Sequence, residues 1–440
     1  MQAETEKDFA ISRRTRSGDR LLIRGGSRLI GVYPISGAKN AVLPLMVSAL
    51  LTTQPVTLHN VPDTLDVTVL ARLLQRLGAD VHRCLGDSGL SLEICASHVD
   101  PRQVDQELVT RMRASVLLLG ALLTRCGEAS LPMPGGDAIG LRNIDFHLAG
   151  LGAMGASIEQ GGGMIRAVAP EGLRGAEIVL PHSSVGATEN LLLAAVSANG
   201  TTIIRNAARE PEINDLAQCL TVMGALVSHS QGDAITVQGG PSLSGTAYQV
   251  MPDRIEMGTV ACAAAMTNGE ILLRHGRLNL LGAAAPALIE AGVDLRQTAE
   301  GVIARQSSRG LIGVDFQTRP YPGFATDLQA PVMALLSTAV GASMVTETIF
   351  EHRFRHVDEL KKMGAEIKVF GRAALVRGVG KLHGAPVMGM DVRGAGALVI
   401  AGVAADGQTV VGGLEHLDRG YERMAEKLIE CGANIIRASG

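Results

Sequence analysis

The stretch Leu77-Gly78-Ala79-Asp80 decides how this chain folds, because it does not occur once. It closes an apolar helical pattern with a glycine and a small residue, and a strand pattern follows. The same signature returns as Met154-Gly155-Ala156-Ser157, Met223-Gly224-Ala225-Leu226, Ala291-Gly292-Val293-Asp294, Met363-Gly364-Ala365-Glu366 and Cys431-Gly432-Ala433-Asn434. Successive glycines stand 77, 69, 68, 72 and 68 residues apart. Six units of about 70 residues form an internal repeat. A glycine just past a helix suits the left-handed cap that ends it.

Each unit also holds a second helix that leads through a small turn into a strand. Residues 185–198 run into Thr201-Thr202-Ile203-Ile204, and 257–266 into Glu270-Ile271-Leu272-Leu273. Residues 397–404 run into Gln408-Thr409-Val410-Val411. These helices are rich in Ala, Leu and Val, which predicts burial on most sides. The helix before each signature glycine is more amphipathic. Across 421–430, Met424, Leu428 and Ile429 face one way, with Glu422, Glu426 and Lys427 largely opposed. One buried and one half-exposed helix per unit, plus strands, predicts an α/β fold with sheets packed around an inner helical layer. A solenoid is the alternative, disfavoured by the long repeat and uneven loops.

Six units divide into three and three, with the boundary near Val250-Met251-Pro252-Asp253. Residues 20–38 carry a strand pattern without the helix–glycine signature and are expected to complete the second half. One domain is therefore 20–38 with 252–440, and the other is 39–251. Residues 1–19, with Arg13, Arg14 and Arg16 beside Glu4, Glu6 and Asp8, read as a flexible polar tail. The chain would cross between domains near Gly37-Ala38-Lys39 and near Pro252. Two crossings predict a hinge and a cleft that shuts.

A chain of 440 residues exceeds one ordinary core. Hydrophobic residues are 46%, aromatics 2%, and Trp is absent, so small and aliphatic side chains must build the cores. A formal charge of -3 gives no global pull toward nucleic acid, and four Tyr and seven Phe leave few stacking platforms. Cys84, Cys95, Cys126, Cys219, Cys262 and Cys431 form no CxxC pair and no zinc-type spacing. Free thiols in a reducing cytosol are the simplest account, with no metal and no cofactor. The N-terminus holds no long uninterrupted apolar run, so neither a signal peptide nor membrane insertion is expected. No obligate protein partner is evident.

The loop Leu131-Pro132-Met133-Pro134-Gly135-Gly136-Asp137-Ala138-Ile139-Gly140-Leu141-Arg142 is the candidate for a mobile lid. Its prolines and glycines disfavour helix and central strand. It carries one carboxylate, Asp137, and one guanidinium, Arg142. A surface turn is the plain alternative.

Several long motifs stand in one order along the chain. They begin with Ile35-Ser36-Gly37-Ala38-Lys39-Asn40-Ala41, Thr110-Arg111-Met112-Arg113-Ala114-Ser115 and Pro134-Gly135-Gly136-Asp137-Ala138-Ile139-Gly140. Ser184-Val185-Gly186-Ala187-Thr188, Asn206-Ala207-Ala208-Arg209-Glu210-Pro211-Glu212 and Thr326-Asp327-Leu328-Gln329-Ala330 follow. Glu351-His352-Arg353-Phe354, Asp391-Val392-Arg393 and Asp418-Arg419-Gly420-Tyr421-Glu422-Arg423 complete them. With them the chain resembles the UDP-N-acetylglucosamine 1-carboxyvinyltransferase family from about Leu21 to its C-terminus. The resemblance implies a two-domain inside-out α/β barrel of six βαβαββ units. It also implies transfer of the enolpyruvyl group of phosphoenolpyruvate to the 3-hydroxyl of UDP-N-acetylglucosamine. Phosphate leaves by addition and elimination through a tetrahedral intermediate, in the first committed step of peptidoglycan synthesis.

The same resemblance assigns roles. Lys39, Arg113, Arg142, Arg393 and Arg419 match positions that hold phosphoenolpyruvate, and arginine forks suit carboxylate and phosphate oxygens. Lys39 and Arg419 are counted among the catalytic groups. Asp327 matches the candidate base for the sugar hydroxyl, before a helical pattern over 328–340; a helix-capping aspartate is the plain alternative. Asn40, Arg113, His182, Ser184, Val185, Gly186, Asp327 and Ile349 match the nucleotide-sugar site. Arg353 and Asp391 line the cleft. Asp391 and Arg393, two residues apart, would share a face if the segment were a strand.

The family usually carries cysteine where this chain has Asp137, and a carboxylic acid still donates a proton. It often carries lysine where this chain has His182, which predicts weaker or pH-dependent nucleotide affinity between about pH 5.5 and 8. An enolpyruvyl transferase acting on shikimate 3-phosphate is the nearest rival. A non-catalytic UDP-sugar-binding paralogue is the other class, disfavoured by the presence of Lys39, Asp327 and Arg419.

Overall fold

A computed structural model describes residues 18–86, 89–140, 143–229 and 233–440. The six signature glycines all sit two residues beyond a short outer helix. Those helices are Leu65–Arg76, Asp145–Ala153, Pro211–Val222, Ala284–Glu290, His356–Lys362 and Met424–Glu430. Gly78, Gly155, Gly224, Gly292, Gly364 and Gly432 all have φ between 90° and 108°. An L side chain is strained there, so the glycine is required. In five units the alanine after the glycine donates its N–H back five residues, as Ala79 does to the Leu74 carbonyl at 3.0 Å and Ala433 to that of Leu428 at 3.0 Å. This closure satisfies helix-end carbonyls and turns the chain into the next strand.

The described chain forms two compact units. The first takes Gly37–Asp137 and residues 143–251, and the second takes residues 18–36, 138–140 and Pro252–Gly440. Each holds three small sheets among the described residues. In the second unit, Arg20–Arg24 lies between Gln408–Gly412 and Asn434–Ala438, antiparallel to both. Leu21 and Ile23 point into the core while Arg20 and Arg24 are exposed, the period-two pattern of a half-buried strand. Ile30–Pro34 runs parallel to Glu270–Arg274. The start of the chain thus supplies strands to two sheets of the second unit, which is why it lacks a helix–glycine signature of its own.

Inside the sheets lie the Ala-rich helices. The first unit has α1 (Lys39–Ser48), α2 (Leu118–Cys126) and α3 (Val185–Ala195). The second has α4 (Arg254–Met266), α5 (Gln329–Leu336) and α6 (Val392–Ala404). In the first unit α2 packs on both α1 and α3, and in the second all three helices pack on one another. Every residue of α4 except Met266, and every residue of α6 except Ala404, is buried. Helices enclosed on all sides show no polar stripe, and these sequences have none.

Several expected bounds move. The helix expected over 185–198 stops at Ala195, and that over 328–340 stops at Leu336 after a single 3-10 turn, Thr326–Leu328. The helices expected from 257 and 397 begin earlier, at Arg254 and Val392, where capping aspartates start them. The helix expected over 421–430 starts only at Met424, and its faces differ from the periodic reading. Lys427 is 7% exposed and Ile429 is 44% exposed, the reverse of the expected pattern. A buried carboxylate, Glu256, accepts from the Lys427 ammonium at 3.0 Å and draws that side chain inward. No described helix is long and apolar enough to cross a membrane.

Candidate active site

In both units several of the residues singled out by the sequence stand at or just before the starts of inner helices. In the first unit, α1 begins after Ala38 with no side-chain cap. Lys39 is its first residue, and its Nζ lies 3.1 Å from Oδ2 of the nearly buried Asp66. Asn40 follows, half-buried. Arg113 opens the 3-10 turn Arg113–Leu117 that leads into α2, and its Nη2 donates to the Asn143 carbonyl at 3.1 Å. Ser184 caps α3, its Oγ accepting from the Ala187 N–H at 3.4 Å. Val185 and Gly186 form the half-exposed first turn. His182 is exposed beside them, edge-on to Phe146 with ring centroids 4.5 Å apart.

His147 and Asn190 link these helix starts. The Asn190 Oδ1 accepts from the Gly120 N–H at 2.9 Å, which orients its amide nitrogen toward His147 Nδ1 at 3.0 Å. Nδ1 therefore accepts, and the ring proton sits on Nε2. Burial, reinforced by the Arg113 charge, pushes the His147 pKa down to about 3, so the ring is neutral. A Cβ on Gly186 would lie 3.3 Å from the same ring. Arg113 and the first turn of α3 are thus neighbours across one imidazole. None of the three helix starts is capped by a carboxylate. Their free N–H groups and cations suit an anionic ligand.

In the second unit the helix starts carry aspartates. Asp253 caps α4, with Oδ1 accepting from Ile255 and Glu256 N–H groups at 2.7 and 3.0 Å. Asp391 caps α6, with Oδ1 accepting from Arg393 and Gly394 N–H groups at 3.0 and 2.9 Å. The strand-face pairing expected for Asp391 and Arg393 is therefore wrong. They lie on a helix start, and the carboxylate meets the backbone of Arg393, not its guanidinium. Asp327 sits in the 3-10 turn before α5 and is held from two sides. Arg353 Nη2 reaches its Oδ1 at 2.7 Å, and Arg393 Nε reaches its Oδ2 at 3.0 Å. Such charge-assisted pairs fix orientation as well as charge.

Arg393 is fully enclosed. Burial works against its charge, but Asp327, then Tyr421 and Asp253, outweigh it and hold the guanidinium above its ordinary pKa. Its Cζ stands 5.3 Å from the Tyr421 ring centroid. Buried Glu347 ties Ile349 to the Asp327 turn. Its Oε1 accepts from the Ile349 and Phe350 N–H groups at 2.8 and 3.0 Å, and its Oε2 from Thr326 Oγ1 at 2.9 Å. His356 is buried behind Arg353 and Asp391. Burial pushes its pKa down to about 4, with Asp391 opposing and Arg353 reinforcing. Arg419 is half-buried near the end of the helix Leu414–Gly420.

The loop 131–142 is only partly regular. Leu131 and Pro132 finish an edge strand, Glu128–Pro132, where a missing proline N–H is tolerated. Residues 133–140 form no helix or strand. Asp137 is half-buried, and Ile139 accepts from the His352 N–H at 2.9 Å within the second unit. Arg142 lies outside the described residues. Asp66, Asn190, His147 and Glu347 were not singled out from sequence, because a lone polar residue carries no mark of the partner it will meet.

Comparison with known proteins places this architecture. The model of the family described as EPSP synthase (3-phosphoshikimate 1-carboxyvinyltransferase) matches residues 23–428, so the fold is that of the carboxyvinyltransferases. The enolpyruvyl transferase NikO from Streptomyces tendae superposes with a TM-score of 0.87 at 26% identity, covering 97% of this chain and 100% of that one. An EPSP synthase from Acinetobacter baumannii has a TM-score of 0.74 at 19% identity, over 96% and 100% of the two chains, a likeness of fold alone. The UDP-N-acetylglucosamine 1-carboxyvinyltransferase of Rhodospirillum centenum is 52% identical over 426 residues, covering 95% of this chain and 99% of its own. The chain belongs to the UDP-N-acetylglucosamine 1-carboxyvinyltransferase family.

Proposed function

We propose that this enzyme transfers the enolpyruvyl group of phosphoenolpyruvate to the 3-hydroxyl of UDP-N-acetylglucosamine, releasing phosphate, as the first committed step of peptidoglycan synthesis. The observation that carries this is 52% identity over nearly the full length of a relative so named. The acceptor follows the same observation, since identity to the EPSP synthase structure is only 19%.

The chemistry asks for three things: anchored anions, a base for the sugar hydroxyl, and an acid for the methylene carbon of the enol. Lys39, Arg113, Arg393 and Arg419, with Arg142, hold phosphate and carboxylate. Lys39 and Arg113 stand at helix starts whose N–H groups also attract anions. Asn40, His182, Ser184, Val185, Gly186 and Ile349 receive the nucleotide sugar, the diphosphate lying at the serine-capped first turn of α3. Asp327 takes the hydroxyl proton as the C–O bond forms. Arg353 and Arg393 keep it from rotating away. Asp391 holds the start of α6 and so the backbone of Arg393. Asp137 delivers the proton to the methylene carbon. We place the reaction in the cytoplasm, in keeping with six cysteines that are all free thiols.

The test is direct. Incubate the protein with phosphoenolpyruvate and UDP-N-acetylglucosamine, and follow phosphate release together with the mass of the sugar nucleotide. A gain of one enolpyruvyl unit is expected. Product with shikimate 3-phosphate and none with the sugar nucleotide would transfer the chain to the other acceptor class.

A further inference from the structure

Lys427 is a buried cation that lies outside the groups assigned above. Its Nζ donates to Glu256 Oε1 at 3.0 Å and to Ser36 Oγ at 2.5 Å, and lies 3.5 Å from Glu422 Oε2. The Tyr33 ring centroid is 5.2 Å away. Glu256 is saturated further, accepting from Tyr33 Oη at 2.9 Å and the Ser36 N–H at 2.8 Å. Ser36 Oγ also meets Glu422 Oε2 at 2.5 Å. One ammonium thus joins the strand end at Ser36, the inner helix α4 and the turn at Glu422. A buried ion network is poor evidence for stability, since well-packed apolar groups do as well. What it does secure is a single arrangement of the elements it joins.

The element with chemistry attached is the turn. Arg419 lies in a short segment whose other members are each fastened. Asp418 receives Arg437 Nη2 at 2.6 Å. A Cβ on Gly420 would overlap Val392 Cγ1, so the backbone is seated against the start of α6. Tyr421 Oη lies 3.1 Å from Thr259 Oγ1 on α4 and its ring faces Arg393. Glu422 meets Ser36 and Lys427. Arg423 then adopts a left-handed backbone, φ 46°, which reverses the chain into the last outer helix. Glu422 thus ties the C-terminal side of this segment to Ser36 and Lys427.

We propose that Lys427 is a positioning residue: through Glu422 and Ser36 it fixes the turn 419–423, and so the guanidinium of Arg419 that receives phosphoenolpyruvate. This rests on the function proposed above. Lys427 touches no reacting atom and acts only through Arg419. Burial raises the Glu256 pKa, and Lys427 is the largest influence opposing it, so removing the ammonium leaves burial less opposed.

The experiment uses the full chain and three variants, E422A, K427M and the double K427M/E256Q. Steady-state phosphate release gives kcat and KM for phosphoenolpyruvate, calorimetry gives the affinity for UDP-N-acetylglucosamine, and a melt gives Tm. In E422A and K427M, kcat/KM for phosphoenolpyruvate should fall about 10-fold or more, while sugar-nucleotide affinity stays within about 2-fold, as expected for displacement of one anchor. The double variant, with no unpaired buried carboxylate, should recover Tm but not kcat/KM. If K427M does not fold, E422A and the double variant still decide. Normal phosphoenolpyruvate kinetics in E422A, or a double variant that regains kcat/KM together with Tm, overturns the inference and leaves Lys427 a structural ion. An unmutated protein inactive with the sugar nucleotide overturns the functional reading first, and this inference falls with it.

Discussion

The two units repeat one architecture and use its inner helix starts in opposite ways. In the first, α1 and α3 begin at Ala38 and Ser184, and the turn before α2 begins at Arg113, so no carboxylate occupies a helix start. In the second, Asp253 and Asp391 cap α4 and α6, and Asp327 stands before α5. A helix N-terminus carries partial positive charge that either a protein carboxylate or a ligand anion can neutralise. The first unit leaves that charge for a ligand. The second unit satisfies it internally at α4 and α6 with Asp253 and Asp391, and locks Arg353 and Arg393 onto a third carboxylate, Asp327. On the function proposed above, the first would receive anions, and the second would hold one fixed carboxylate, Asp327.

The strongest test of that division is Asp327→Asn. The amide keeps the shape and some of the hydrogen bonds but cannot take a proton. Turnover should fall by about 10²-fold or more, the usual scale for an acid–base residue, while UDP-N-acetylglucosamine still binds the first unit. Rapid-quench turnover with parallel calorimetry separates the two. Near-normal turnover would reduce Asp327 to a structural anchor for Arg353 and Arg393.

Asp137 is the last residue counted with the first unit before the loop passes to the second. If it is the acid, D137N should lose turnover by a factor similar to that of D327N, and rate should fall as pH rises through its apparent pKa in the ternary complex. The same residue should also set the response to fosfomycin, an epoxide expected to alkylate the loop thiol that the family usually carries there. A carboxylate is a far poorer nucleophile than a thiolate. The unmutated protein should resist inactivation, and D137C should remain active and gain one adduct at that position by mass spectrometry. Full turnover in D137N would remove Asp137 from the mechanism.

Acid should act on both units through buried histidines, but for different local reasons. His147 in the first unit and His356 in the second have pKa values of about 3 and about 4, below the ordinary 6.5. The unfolded chain therefore binds these protons first as pH falls. Stability is complete above pH 6.5 and declines below it, until the folded-state values are reached. Each histidine contributes a slope of at most about 1.4 kcal/mol per pH unit. Replacing either by leucine should flatten the decline seen by urea unfolding between about pH 6 and 4. The neutral-pH cost should differ. H147L removes a partner of Asn190 and should cost about 1–3 kcal/mol, whereas the His356 ring meets no side-chain partner, so H356L should cost less. Equal costs would show that the two imidazoles are held alike.

The contrast between units was partly legible before any coordinates. The six glycines announced the repeat because a backbone near φ 100° admits little else. Lys39, Arg113, Ser184 and Asp327 were singled out by their motifs. The capping role of Asp391 was missed because Asp391-Val392-Arg393 reads equally well as alternation, and only the small residues after it betray an enclosed helix. Lys427 was placed on a polar face because a lysine in an amphipathic pattern ordinarily is solvated. Its partner Glu256 is 171 positions away, a distance over which periodicity carries no information. Glu347 and Asn190 escaped for the same reason. Local geometry is written in local sequence, and a polar contact between distant elements is not.

The smallest expected effect separates the two kinds of helix start most cleanly. Asp391 accepts two N–H groups at 3.0 and 2.9 Å, whereas Ser184 accepts one at 3.4 Å. Losing a good cap costs about 1 kcal/mol, and a long single bond should cost only a few tenths. Without ligand, D391A should therefore lower the unfolding free energy several times more than S184A, as measured by urea denaturation. With UDP-N-acetylglucosamine at about 100 times its Kd, the unmutated protein should gain about 2.7 kcal/mol. S184A should gain less, because its hydroxyl and the adjoining turn belong to the ligand, while D391A should keep nearly the whole increment, because its carboxylate serves the helix. If S184A is as costly as D391A in the absence of ligand, both serines and aspartates are ordinary caps. The first unit would then hold no reserved anion site at α3.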